Sequence, residues 1–307
     1  MALDMTATKS AHEEARELCQ VQPQRWEAAW HCRMAHHGAT VRFDRPVDTI
    51  PVSVTGSACA LDCAHCNRVY LRHMRTLSEV AAPDVLPAAA SLLISGGCDA
   101  RGRVPLMAHL ETLRGLAAVH RLNLHVGLID EDEARALAPL VEVVSFDVVG
   151  DRRAAREVYG LDVGLDDYMR TLDALRRHVA VVPHVTIGLR GGQPSGEFAA
   201  LDALAARDIE RLVYIVLIPT AGTRYAQCEP PPLAYVADLL LETRLRLPRT
   251  DLILGCMRPR GRYGRVLDLL ALRAGANALV NPSHLAVEEA AALGLEVTWG
   301  SVCCALD

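Results

Sequence analysis

From residue 49 onward, short apolar runs alternate with segments in which apolar residues recur every three or four positions. The runs are TIPVSVTG (49–56), SLLISGG (91–97), LNLHVGL (122–128), VEVVSFDV (141–148), VVPHVTIGL (181–189), RLVYIVLIP (211–219), DLILGCM (251–257) and NALVNP (277–282). Most are continuous and rich in Val, Ile and Leu, as expected of strands covered on both faces. The intervening segments, such as residues 104–120, 165–178, 196–208 and 232–247, carry the period of a helix packed on a core. Eight strand–helix units over about 245 residues predict an α/β fold of the (β/α)8 TIM-barrel type, whose usual size is ~250 residues. A doubly wound open sheet would produce the same alternation. Residues 1–48 fall outside the repeat and read as a helical extension, with helices over 11–20 and 24–36. The barrel then occupies residues 49–300, and 301–307 form a tail containing Cys303 and Cys304.

Composition narrows the function classes. The 307-residue chain is 51% hydrophobic and 22% charged, which supports a full core and excludes global disorder. A net charge of -5 without a long Lys/Arg run argues against nucleic acid held by counterion release. At 4% aromatic residues, stacking surfaces for single strands are also scarce. No apolar stretch approaches the ~20 residues of a membrane helix. The N-terminus is acidic and lacks an apolar signal core, so a cytoplasmic protein is expected. Ten cysteines in such a chain point to metal or redox chemistry rather than to a disulfide framework.

The first apolar run leads straight into GSACALDCAHC, which sets Cys59, Cys63 and Cys66 at C-x3-C-x2-C spacing. They follow the carboxyl end of a strand, the face on which barrel enzymes place their chemistry. Three thiolates on one loop suit three irons of a [4Fe–4S] cluster and leave the fourth iron open to a small molecule. Zinc is the rival, and needs a fourth ligand from His65 or a remote residue.

With this triplet the sequence resembles the radical S-adenosylmethionine superfamily, and further strand ends agree in order. Ser95-Gly96-Gly97 ends the second run and resembles the family's glycine motif; glycines also let backbone approach a ligand closely. Asp147 ends the fourth run, where it can accept from ribose hydroxyls. Ile187-Gly188, followed by Gly196-Glu197, resembles the segment that packs against adenine. Pro219-Thr220-Ala221-Gly222-Thr223 resembles the turn after strand six in the biotin synthase-like branch. His65 stands where the family usually has an aromatic residue near adenine. The resemblance implies a [4Fe–4S] cluster on the three cysteines and S-adenosylmethionine on its open iron. Cleavage of that molecule gives a 5′-deoxyadenosyl radical that abstracts hydrogen from substrate. Taken singly, each residue has a structural alternative: a Gly-Gly turn, a helix cap at Asp147, a first-turn acid at Glu197.

Seven cysteines remain. Cys98 and Cys256 follow the second and seventh runs and are expected at the barrel mouth. Cys303 and Cys304 lie on a tail that could fold over it, so these four are candidate ligands for a second [4Fe–4S] cluster. Cys19 and Cys32 are alternative ligands, and Cys228 lies in a loop with three prolines. Each thiol could equally be a small buried hydrophobe. The full barrel, LISGGCDARGRVPL, PHVTIGL, LGCMRPRG and the terminal Cys-Cys resemble a biotin synthase-related group that includes the two-protein lipoyl synthase system. That resemblance implies sulfur insertion from an auxiliary cluster into an octanoyl chain on a lipoyl carrier protein or peptide. It also implies a sister radical enzyme and a ferredoxin- or flavodoxin-like electron donor. Arg101, His184, Arg258 and Arg260 are candidate substrate contacts, since a guanidinium offers paired donors to a carboxylate. His125 reads as a satisfied barrel histidine, and His36-His37 as a weak candidate for a vicinal metal-binding pair.

Overall fold

All eight apolar runs become parallel strands in the computed structural model, which describes residues 10–81 and 90–306. Residues 1–9, half of the N-terminal stretch on which the reading of cellular location rested, lie outside them. The eight strands are β2 (Thr49–Ser53), β4 (Ser91–Ser95), β5 (Arg121–His125), β6 (Val143–Asp147), β7 (Ala180–Ile187), β8 (Arg211–Val216), β9 (Asp251–Leu254) and β10 (Ala278–Val280). Three more join them: β1 (Thr40–Asp44), β3 (Arg75–Thr76) and β11 (Glu296–Gly300). Together they form one eleven-stranded sheet in the order β11-β1-β10-β9-β8-β7-β6-β5-β4-β2-β3.

The sheet corrects the expectation of a closed (β/α)8 barrel. The edge of β10 that would meet β2 is taken by β1, and the free edge of β2 by β3. The strands therefore form an open parallel sheet. Strand β1 lies within the stretch read as purely helical. Its TVRFD alternation buries Val41 and Phe43 completely, as a strand with one face on the core requires.

Helices α1 (Ala11–Gln20) and α2 (Pro23–His37) precede β1, close to their expected bounds. The connections carry α3 (Leu77–Val80), α4 (Leu110–Ala117), α5 (Glu131–Leu137), α6 (Arg152–Tyr159), α7 (Leu165–Arg176), α8 (Glu197–Ala205), α9 (Leu233–Arg246), α10 (Gly261–Arg273) and α11 (His284–Ala292). Local caps fix the starts of α1, α3, α5 and α6. At α5, Asp130 accepts from the Glu133 amide while the Glu133 carboxylate accepts from Asp130. Among the described residues no helix is long and apolar enough to cross a membrane.

Strand alternation produces two cores. Leu122, Leu124, Val144 and Phe146 pack in the large core that also holds the helices. Val143, Val182, Val213, Ile253, Ala278 and Val280 face the other way and gather around Val302, Cys304, Ala305 and Leu306. The tail thus fills the concave face of the sheet. It sits at the amino ends of the strands, where arginines clamp its carbonyls. Arg42 donates to Cys304 O at 3.2 Å, Arg211 to Ala305 O at 2.9 Å and Arg121 to Leu306 O at 2.6 Å. The tail was expected over the mouth; it forms the floor instead. Burial of Val302 and Leu306 there contributes about 1.5–3 kcal/mol each, an upper range for such side chains.

Candidate active site

The cysteine loop leaves β2 through a turn closed by Ser53, whose hydroxyl donates to Gly56 O at 2.6 Å. Backbone bonds then pin the loop from several sides. Ala64 N donates to Val158 O at 2.8 Å, and Tyr225 N to Ala64 O at 3.1 Å. Ala60 N donates to Cys98 O at 2.8 Å. The turn at residues 219–223 buttresses the loop, with Tyr70 and Thr220 hydroxyls 2.7 Å apart and Asn67 donating to Gly222 O at 2.9 Å. Cys59, Cys63 and Cys66 are free and half-buried. Burial, followed by the neighbouring Cys66 and Cys59 sulfurs, pushes the Cys63 thiol up to about 12. Burial also raises Cys66. Deprotonating these crowded sulfurs is unfavourable without a cationic centre among them, so metal binding would release protons.

The glycine motif is built against this loop. A Cβ on Gly97 would stand 1.9 Å from Ala58 O and 2.6 Å from the Cys59 Cβ, so only glycine fits. Gly97 N donates to Thr55 Oγ1 at 2.7 Å, and Cys98 N to Cys59 Sγ at 3.3 Å. An N–H aimed at a ligating sulfur is the kind of contact that tunes a cluster. Cys98 therefore belongs with the triplet. Burial, then Cys59 and Cys63, pushes it up to about 12.

Asp147 ends β6 on the concave face. The helix-cap alternative fails, because α6 is capped by Asp151, which accepts from Arg153 N. His125 Nδ1 lies 3.6 Å from Asp147 Oδ2, and the His125 and His184 ring centroids are 5.6 Å apart. These side chains sit deep between strands, yet His125 keeps 27% exposure and Asp147 51%, so they line an open lumen. Burial works to lower His125, but the bond and charge of Asp147 outweigh it and raise it. Burial works to raise Asp147, and His125 outweighs it in turn. His184 is held down at about 4 by burial and then by the His125 charge, so it is neutral at neutral pH. Its Nδ1 is 2.9 Å from Val182 O. His65 meets the Tyr159 ring edge-on at 5.6 Å, and its Nδ1 is buried without a hydrogen-bond partner. Burial holds its ring down at about 4, with Asp147 opposing.

Three soft sulfurs on one loop are a donor set that suits a polynuclear iron–sulfur cluster.

No family model and no curated protein matches the sequence. The structure does have counterparts. It is similar to methylornithine synthase (PylB), with a TM-score of 0.62 at 13% identity over 96% of each chain. It is similar to the FeFe-hydrogenase maturase HydG from Carboxydothermus hydrogenoformans, with a TM-score of 0.66 at 15% identity over 92% of this chain and 72% of that one. A third is Streptococcus suis SuiB bound to S-adenosylmethionine, with a TM-score of 0.50 at 14% identity over 77% of this chain and 58% of that one. The chain shares the fold of these proteins.

On this fold, several expected site residues take other roles. Ile187 is fully buried in the helix-facing core, because it lies on the convex side of β7. Glu197 is buried and accepts from Gly188 N (2.6 Å), Ser195 N (2.6 Å), Ser195 Oγ (2.8 Å) and the Tyr235 hydroxyl (2.8 Å). It is a positioning residue that holds the turn between Gly188 and α8, not a ligand contact. Glu197→Ala is expected to cost about 3 kcal/mol, since it strands two backbone donors, whereas Tyr235→Phe costs about 1. Denaturant midpoints check this, and equal effects would refute it. Arg258 is also withdrawn from substrate. It is 2% exposed and donates to Asp268, Gly255 O and Val280 O. Arg260 stays exposed on the rim beside Asn281 O. Arg101 faces an outer groove of about 530 Å³ between the start of α5 and α7, away from the lumen. His184 does reach the lumen.

The four-cysteine expectation is corrected as well. Cys98 sits with the triplet, Cys303 and Cys304 bond each other in the tail, and Cys256, exposed just past the end of β9 as expected at the mouth, lies within electrostatic reach of Cys303. Asn123 Nδ2 donates to Cys303 Sγ at 3.3 Å and holds Ser145 through its own oxygen at 3.0 Å. A hydrogen bond from the Cys304 thiol lowers Cys303 against its burial, and the same bond raises Cys304. Burial and then the Cys303 charge raise Cys256. Cys19 and Cys32 are not ligand alternatives: they lie on outer helices beside Arg273 and Arg244 O. Cys228 packs near Gly191. The residues that sequence reading undervalued are Asn123 and His125. Their signal was present, as polar residues at alternate positions of LNLH share the inward face.

Proposed function

We propose that this chain is a radical S-adenosylmethionine enzyme that inserts sulfur into an unactivated C–H bond of an octanoyl chain on a lipoyl carrier. The observation that carries the reading is a pair of thiol groups. Cys59, Cys63 and Cys66 share the loop after β2, and Cys303, bonded to Cys304 and held by Asn123, lies within electrostatic reach of Cys256 just past β9. The first group fits a [4Fe–4S] cluster and the second group another, with a fourth ligand left to the substrate side. When bound, the first cluster and S-adenosylmethionine supply a 5′-deoxyadenosyl radical, and the second cluster supplies sulfide.

The chain's own residues do the rest. Ser95, Gly96 and Gly97 bring backbone carbonyls to the rim, where they accept from an ammonium group. Asp147, kept ionised by His125, accepts from ribose hydroxyls. Gly188, set by Glu197, brings backbone close to the base, and His65 offers a neutral planar ring. Asn123 orients Cys303, and the tail seals the lumen floor against water entering from below. The octanoyl carrier, a sister radical enzyme and a ferredoxin- or flavodoxin-like donor complete the proposal.

The test is anaerobic turnover with S-adenosylmethionine, reductant and octanoylated carrier peptide, with and without a sister enzyme. Mass analysis is expected to find one or two added sulfur atoms. Deoxyadenosine with an unchanged peptide would retain the radical enzyme and remove this substrate. A Cys256→Ser/Cys303→Ser/Cys304→Ser variant is expected to keep roughly half the iron and sulfide of wild type. Undiminished iron would remove the second cluster.

A further inference from the structure

The loops that follow β9 and β10 enclose a cavity of about 190 Å³ lined by Arg258, Arg260, Arg265, Asp268, Ser283 and His284. Its charge is easily reckoned. Arg258 and Asp268 are both 2% exposed and neutralise each other at 2.8 Å. Arg260 and Arg265 have no carboxylate partner among the described residues, so their two positive charges are unspent on the protein. Two helices begin at the same place. Helix α10 has Arg260 as its N-cap and α11 has Ser283, and neither cap side chain bonds its own first turn. The first-turn amides of both helices therefore lack side-chain caps at the cavity. The Ser283 Oγ is buried with no hydrogen-bond partner, an unusual state for a hydroxyl. Its backbone N is tied to Asp268 Oδ2 at 2.7 Å, which fixes the residue in place. Gly264 allows the closure: a Cβ there would lie 2.5 Å from Pro259 O.

A small cavity with two guanidinium groups that lack a carboxylate partner, an unsatisfied hydroxyl and two helix N-termini suits a compact oxyanion with several acceptor oxygens. In closed (β/α)8 barrels the loops after the seventh and eighth strands, which these loops match in order, often hold phosphate. We propose that this cavity binds the phosphoryl group of a phosphomonoester ligand, with Arg260, Arg265 and Ser283 as its side-chain donors. It opens at the carboxyl-end rim that also carries the cysteine loop and Asp147. A ligand anchored there by phosphate is held on the catalytic face of the sheet. The inference stands apart from the sulfur-insertion reading, because it needs neither cluster.

Isothermal titration of the anaerobically purified holoenzyme at constant ionic strength tests it, with inorganic phosphate, ethyl phosphate and acetate as probes. Saturable binding of phosphate and ethyl phosphate is expected, with acetate at least tenfold weaker. Arg260→Gln/Arg265→Gln should weaken phosphate binding at least tenfold, and Ser283→Ala several-fold, with unchanged circular dichroism. Should the double variant unfold, Arg265→Lys, which keeps charge but loses the fork, is expected to weaken ethyl phosphate at least threefold. No saturable binding, equal binding of acetate, binding of phosphate without ethyl phosphate, or indifference to the arginine variants would each overturn the proposal.

Discussion

Replacing Cys59, Cys63 and Cys66 together by alanine is expected to reduce formation of 5′-deoxyadenosine from S-adenosylmethionine to the level without protein. The reason is local chemistry: without the three sulfurs the rim of the sheet has no soft donor set except Cys98, and one thiol cannot hold a cluster. The fold is expected to survive, because the loop is anchored through backbone groups. Ala64 N and O bond Val158 and Tyr225, and Cys98 O accepts from Ala60. Far-ultraviolet circular dichroism should therefore match wild type. The second thiol group is untouched, so iron–sulfur absorption should persist at reduced intensity. Continued S-adenosylmethionine cleavage by the triple variant would end the assignment of this loop.

The second large effect is expected at Arg258, and on stability instead of substrate. Arg258→Met leaves the Asp268 carboxylate buried at 2% exposure without its cation. Losing one partner of a buried ion pair costs about 3–5 kcal/mol, mostly from the charge left behind. For a chain of this size that corresponds to a drop of about 5–8 °C in the melting midpoint. Arg258→Met/Asp268→Leu removes both charges and is expected to recover most of the loss, although Ser283 N then loses its acceptor. If the single variant melts like wild type but shows a raised KM, the guanidinium serves substrate after all.

These contrasts follow the range over which each feature is encoded. The eight apolar runs were legible because a strand covered on both faces must be continuously apolar, whatever its neighbours are. The cysteine triplet and Gly97 were legible for a similar reason. Their partners lie within one loop and one adjacent strand, where spacing alone implies proximity. Side-chain direction was less legible. Ile187 and Glu197 were read from a segment pattern, but strand parity turns Ile187 into the helix core, and four donors converge on Glu197 from residues 188, 195 and 235. The same applies to Arg258, whose partner Asp268 lies ten residues away on the buried face of α10.

The closure of the sheet and the grouping of the remaining cysteines are non-local throughout. Strand β1 pairs with β10 and β11 across more than two hundred residues, and nothing in TVRFD names those partners. Cys256 and Cys303 are brought together because Val302, Ala305 and Leu306 find apolar cover on the concave face, while Arg42, Arg121 and Arg211 capture the tail carbonyls. The amino-acid sequence by itself determined the repeating strand–helix units, the cysteine loop and the carboxyl-end rim, since each depends on periodicity or short spacing. Only the tertiary structure decided that the sheet stays open, that the tail is a floor and which thiols meet, because those outcomes depend on burial shared between distant segments.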